Sequence, residues 1–123
     1  MPAWTAYEFL SDGIAVGHWA LGALNARRAG RNLYKGISLF DGEELIFKPV
    51  GDRLRLLVDY WVGADAGSLA LRAMARAIPR ARNSCVVSLI AWREASMPDE
   101  RWERLVACHE VEIRLIQAHL SRM

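Results

Sequence analysis

Along the C-terminal segment, mostly apolar positions recur at Trp102, Val106, His109, Ile113, Ile116 and Leu120, spaced four, three, four, three and four residues apart. That spacing places them on one stripe of a helix, a seam suited to packing along another helix. Ser96 offers a capping hydroxyl, Pro98 falls in the first turn, and Asp99 and Glu100 stand where the helix dipole favours acids. Together they predict a helix over Ser96 to Met123.

At the other end, Thr5 followed by Glu8 matches a capping box, and the apolar order up to Arg28 is helical, with Gly30 as a stop. A first helix is predicted from Ala6 to Ala29. It contains Gly13, Gly17 and Gly22, each costing about 1 kcal/mol relative to alanine. Gly13 and Gly17 lie four apart on one face, which suits either a close helix crossing, with a second copy of the chain as one partner, or a break near Gly13.

Between these ends, Asp41-Gly42 separates Ile37–Phe40 from Glu44–Lys48 and predicts a hairpin. Leu54, Leu57, Val58 and Trp61 follow a helical period that Gly63 stops, and a further helix is predicted from Ala66 to Ile78 before Pro79. Cys85 to Trp92 is a largely apolar run suited to a buried strand that adds to the hairpin. The expected fold is a single α+β domain over residues 1–123, with helices packed on a small antiparallel sheet of a hairpin plus one strand and a long C-terminal helix.

The 53% hydrophobic content supports one ordinary core, and a net charge of +2 is far from that of a nucleic-acid coat. Charge is nevertheless blocked: Ala66 to Arg93 holds no acid but carries Arg72, Arg76, Arg80, Arg82 and Arg93, whereas six acids fall between Glu94 and Glu112. The two cysteines, Cys85 and Cys108, have no knuckle or disulfide spacing, and the apolar run Ile14–Leu24 is too short to span a bilayer. A cytoplasmic protein is expected.

Candidate chemistry is sparse. His109-Glu110-Val111-Glu112-Ile113 begins like a zinc-protease helix, but Ile113 occupies the second histidine's place, so no metal is expected. No nucleophile elbow or phosphate loop is readable, and no cofactor or catalytic residue is assigned. Leu54–Trp61 and Ser68–Ile78 suggest a helix-turn-helix whose arginines, Arg72, Arg76, Arg80 and Arg82, would hold phosphates, although their apolar neighbours would read bases poorly.

Five tryptophans and an Arg-rich basic set are the residue types that anchor protein interfaces. The expectation is therefore a non-catalytic, protein-binding regulator, homodimeric in its free state, that inhibits or sequesters another bacterial protein as an anti-activator or an immunity-type inhibitor does. Its partner-binding residues would be Gly13 and Gly17 with the seam Trp102, Val106, His109, Ile113, Ile116 and Leu120. Alternatives are a DNA-binding regulator and a small-ligand binder or enzyme whose site is assembled from residues distant in sequence.

Overall fold

Alternation with a period of two, rather than the helical period, governs the middle of the chain. In the computed structural model, which describes residues 1–123, Leu24–Gly30 (β1), Leu33–Ile37 (β2), Glu44–Asp52 (β3), Leu57–Gly63 (β4), Ala70–Arg80 (β5) and Ser84–Ala91 (β6) form one sheet in sequential order. Every neighbouring pair is antiparallel. Ala3–Ser11 (α1) and Gly13–Val16 (α2) precede the sheet and Asp99–Ser121 (α3) follows it.

One face of the sheet is covered by the helices. Register places Phe47, Val58, Tyr60, Ala75 and Ala77 on that face, all buried, while Val50, Trp61, Met74 and Ile90 alternate with them on the uncovered face. The alanines of β5 have a packing reason: α1 lies on this strand, and Ala6, Leu10, Ala75 and Ala77 all retain no exposure. Side chains of one carbon let helix and sheet approach closely where leucines would hold them apart. Truncating Phe47, among the largest fully buried side chains, would cost about 3 to 5 kcal/mol.

The expected small sheet of a hairpin plus one strand is thus overturned by a six-stranded sheet. The segment expected as a helix from Ala6 to Ala29 breaks at Asp12, whose side chain accepts from the Ile14 N–H, and from Leu24 on it is β1. The two expected middle helices are β4 and β5. Leu54, Leu57, Val58 and Trp61 satisfy a helical period, but Val58, Tyr60 and Val62 satisfy the alternating one, and sheet pairing on both sides decides between them.

The helix-turn-helix disappears with those helices. Arg72, Arg76 and Arg80 lie on β5, and Arg82 occupies the turn to β6 with φ of 59°. The last helix and a strand at Ser84–Ala91 agree with the sequence pattern, although that strand adds to β5 and not to the hairpin. A hairpin forms about Asp41-Gly42, with Gly42 at φ 70°, but Ser38–Phe40 of its expected first arm lie in the loop and the arm is Leu33–Ile37. In that helix the N-cap is Pro98, and Arg93 anchors the preceding loop by donating to the Met97 carbonyl and pairing with Asp99.

Candidate functional site

α3 reaches the sheet through side chains that leave space between them. On its sheet-facing line, Leu105, Cys108 and Glu112 come before Ile116 and Leu120, both buried in the core. Ile116 and Leu120 close the space at one end. At the other, Leu105 and Cys108 meet small or distant partners, Ala73, Leu89 and Ala91 on the strands and Ala20, Gly22 and Ala23 on the α2–β1 connection. The result is a cavity of about 170 Å³, lined by 18 residues of which 14 are hydrophobic.

Its polar groups converge from three elements. Glu112, only 7% exposed, accepts the Leu21 N–H at 2.9 Å, so a carboxyl on α3 satisfies a backbone donor in the connection that follows α2. His109 sits one turn earlier with Nε2 3.6 Å from the Glu112 carboxyl. Trp19 packs edge-on against Tyr60, and its buried indole N–H has no acceptor in the chain. Tyr60 is itself anchored, its hydroxyl donating to the Leu10 carbonyl at 2.6 Å.

The electrostatics follow from burial. Desolvation pushes the Glu112 carboxyl up to about 7 despite the Leu21 N–H that favours its charged form. Burial also lowers His109, which disfavours the imidazolium, and raises Tyr60 and Cys108, with the nearby Glu112 charge raising both further. Near neutral pH the cavity therefore holds a carboxyl poised between its two forms and a neutral imidazole within apolar walls.

The cavity opens through a wider, charged funnel of about 680 Å³ between the β2–β3 loop and the start of α3. Phe40, exposed on that loop, carries the Arg104 guanidinium over its ring at 5.8 Å. On the opposite side a bulge in β5, where Tyr60 pairs with Ala73 but Trp61 with Leu71, leaves Arg72 as the extra residue. It is aimed at the funnel and bonds Glu94 at 3.4 Å, and Glu94 also accepts from the Trp92 indole N–H. Bulges commonly re-aim a side chain in this way.

The expected interaction residues are divided by this arrangement. Ile116 and Leu120 belong to the core, His109 lines the cavity, and Trp102, Val106 and Ile113 lie on the flank of α3 that faces β6. Gly13 and Gly17 are buried within the chain, where a Cβ on either would strike the Tyr34 ring or the Ala26 backbone. They serve an intramolecular approach of α2 to β1 and β2. Of the four arginines expected to hold phosphates, only Arg72 reaches the cavity mouth; Arg76 donates to the Arg55 carbonyl, and Arg80 and Arg82 are exposed at the far end of β5.

Glu112, Trp19 and Tyr60 were not singled out by pattern. The signal for Glu112 was present: it interrupts an otherwise apolar four-residue line of Cys108, Ile116 and Leu120. No three metal-ligating side chains cluster anywhere in the chain, and no helix is long and apolar enough to cross a membrane. No protein-family model matches the chain, and no curated protein matches it in sequence.

Proposed function

We propose that this chain binds a small, largely apolar molecule in the cavity between α3 and the sheet. The observation that carries this reading is the cavity itself, apolar on most of its wall yet holding Glu112 and His109. A natural core would be expected to fill such a space, whereas binding sites keep apolar concavities with a few placed polar groups. A volume near 150 Å³ holds one benzene-sized ring. The ligand class is therefore a ring-sized or branched apolar body with one hydrogen-bonding group, its remainder extending into the funnel.

Protonation makes the polar end permissive. Protonated Glu112 donates to a ligand oxygen, and ionised Glu112 accepts from a hydroxyl or an amine, so both neutral and weakly basic ligands fit. The two free thiols, Cys85 and Cys108, support a reducing, cytoplasmic setting.

Titration with benzyl alcohol, benzylamine and toluene, followed by the Trp19 indole N–H resonance, tests this. Saturable shifts are expected, lost in Ala73→Leu, which fills the cavity from β5. Absence of saturable shifts with all three probes, or identical shifts in Ala73→Leu, would remove the reading. A protein-binding regulator, of the anti-activator or immunity type, is the second reading; the observation favouring it is the apolar flank of α3 facing the edge of β6.

A further inference from the structure

Ser84–Ala91 has the composition of an interior strand, with no charged residue and no proline. Cys85, Val87, Leu89 and Ala91 face the helix layer, and Val86 and Ile90, 49% and 45% exposed, face the other way. Strands apolar on both faces are normally flanked by neighbours on both sides. β6 has one neighbour, β5, in an unbroken register of eight pairs. Its other side presents backbone N–H and C=O groups with no strand to receive them.

The space beside that edge is shaped as well as open. Two clefts of about 680 and 470 Å³ run between β6 and α3, sharing Val87 and Ile113. Trp102 and Val106, the latter 40% exposed, wall one end, and Met1, Pro2 and Met123 border the other. Glu110 is the sole acid on their walls and there is no Lys or Arg. The two layers of the molecule are thus unfinished on the same side.

We propose that the β6 edge binds an extended segment of a partner polypeptide as a seventh, antiparallel strand. Its backbone pairs with β6 over about eight residues, roughly 27 Å. Alternate apolar side chains enter the clefts beneath Trp102, Val106 and Ile113, and a single basic residue is accommodated only beside Glu110. A second copy pairing β6 with β6 supplies a poorer occupant, because it brings to the clefts the same α3 flank, which carries Glu110 and no Lys or Arg and so offers no cation to the Glu110 it meets. Binding by strand addition of this kind combines main-chain hydrogen bonds with pockets for alternate side chains.

The probe is an acetylated, amidated octapeptide with valine at three of the four alternate positions that face the clefts, lysine at the fourth and threonine at the other four, compared with the same peptide carrying aspartate at two of the valines. Hydrogen exchange should slow at least tenfold for β6 amides on adding the valine peptide, with β1 amides unchanged, at 1:1 stoichiometry. Val106→Asp, at a half-exposed wall position, should weaken binding at least tenfold while the chain still folds. Ile113→Asp should do the same. No protection of β6, equal binding of the aspartate peptide, or β6 protection that rises with protein concentration in the absence of peptide would each overturn the proposal, the last by showing that a second copy is the occupant. Ala73→Leu, which closes the small-molecule cavity, should leave peptide binding unchanged, so the two sites fail or succeed separately.

Discussion

At one edge of the sheet β1 carries Asn25, Arg27 and Arg28, has two register irregularities against β2, and holds Asn25 at φ 55°. At the other, β6 has no charge, no bulge and β-branched residues on both faces. The first edge has the devices that keep sheets from pairing with strangers: charge, twist and a broken ladder. The second has none. Since one chain folds both, the difference points to a role for β6 that β1 does not share, and the side of the molecule that carries β6 also carries the open flank of α3.

The contrast can be broken most forcefully by placing one carboxylate at each edge. Val87→Asp, half-buried between β6 and α3, should cost about 2 to 4 kcal/mol in denaturant unfolding. Arg27→Asp on exposed β1 loses its solvated pairing with Glu44 and sets a second solvated carboxylate near it, a change of about 1 kcal/mol or less. Equal losses at the two positions would mean that the edges do not differ in the way described.

Stability should also depend on pH, because α3 buries Glu112 against the α2–β1 connection, where it accepts the Leu21 N–H. Its folded-state value of about 7 lies above the ordinary 4.5, so the folded chain holds this proton more tightly than the unfolded one. As far as this group decides, stability should be full below pH 4.5, fall as pH rises toward 7, and level off above it, a total on the order of 3 kcal/mol. His109 acts in the opposite direction, since its lowered value withdraws stability as pH falls below its ordinary 6.5. Glu112→Gln keeps an acceptor for the Leu21 N–H, and its unfolding free energy should lack the decline above pH 5. A wild-type decline that persists in Glu112→Gln would assign it to another group.

The smallest effect on stability should accompany a change in association. Val86→Lys with Ile90→Lys supplies β6 with edge charges at exposed positions and should alter stability by no more than about 0.5 kcal/mol per site. Arg27→Val with Arg28→Val strips β1 of its own. Sedimentation velocity should show new concentration-dependent association in the stripped β1 variant and none in the charged β6 variant. Unchanged sedimentation on stripping β1 would indicate that its bulges, rather than its arginines, protect that edge.

How legible these features were depended on whether a local pattern had a competitor. The last helix was readable because first-turn acids and a sustained four-three period agree over Asp99–Ser121, although Pro98, and not a Ser96 hydroxyl, stands at its N-cap. Asp41-Gly42 marked its hairpin, and the run at Cys85 its strand. By contrast β5 is rich in alanine, the strongest helix former, and Leu57, Val58 and Trp61 in β4 fit a helical period by coincidence of spacing. Those strands exist because Val58 and Tyr60 pair across to β3 and β5 and because Ala75 and Ala77 receive α1, contacts between segments distant in the chain.

By itself the sequence determined the C-terminal helix, the hairpin and the interior character of Ser84–Ala91, since each depends on residues within one turn or one strand of each other. Only the tertiary structure decided that α3 turns Glu112, Ile116 and Leu120 inward and leaves Trp102, Val106 and Ile113 on its flank, because a helix with apolar residues on several sides takes its orientation from the surface it meets. The same holds for the cavity and for the bare edge of β6. Each is space beside a residue, set by what fails to pack there, and local spacing along a chain carries no record of missing neighbours.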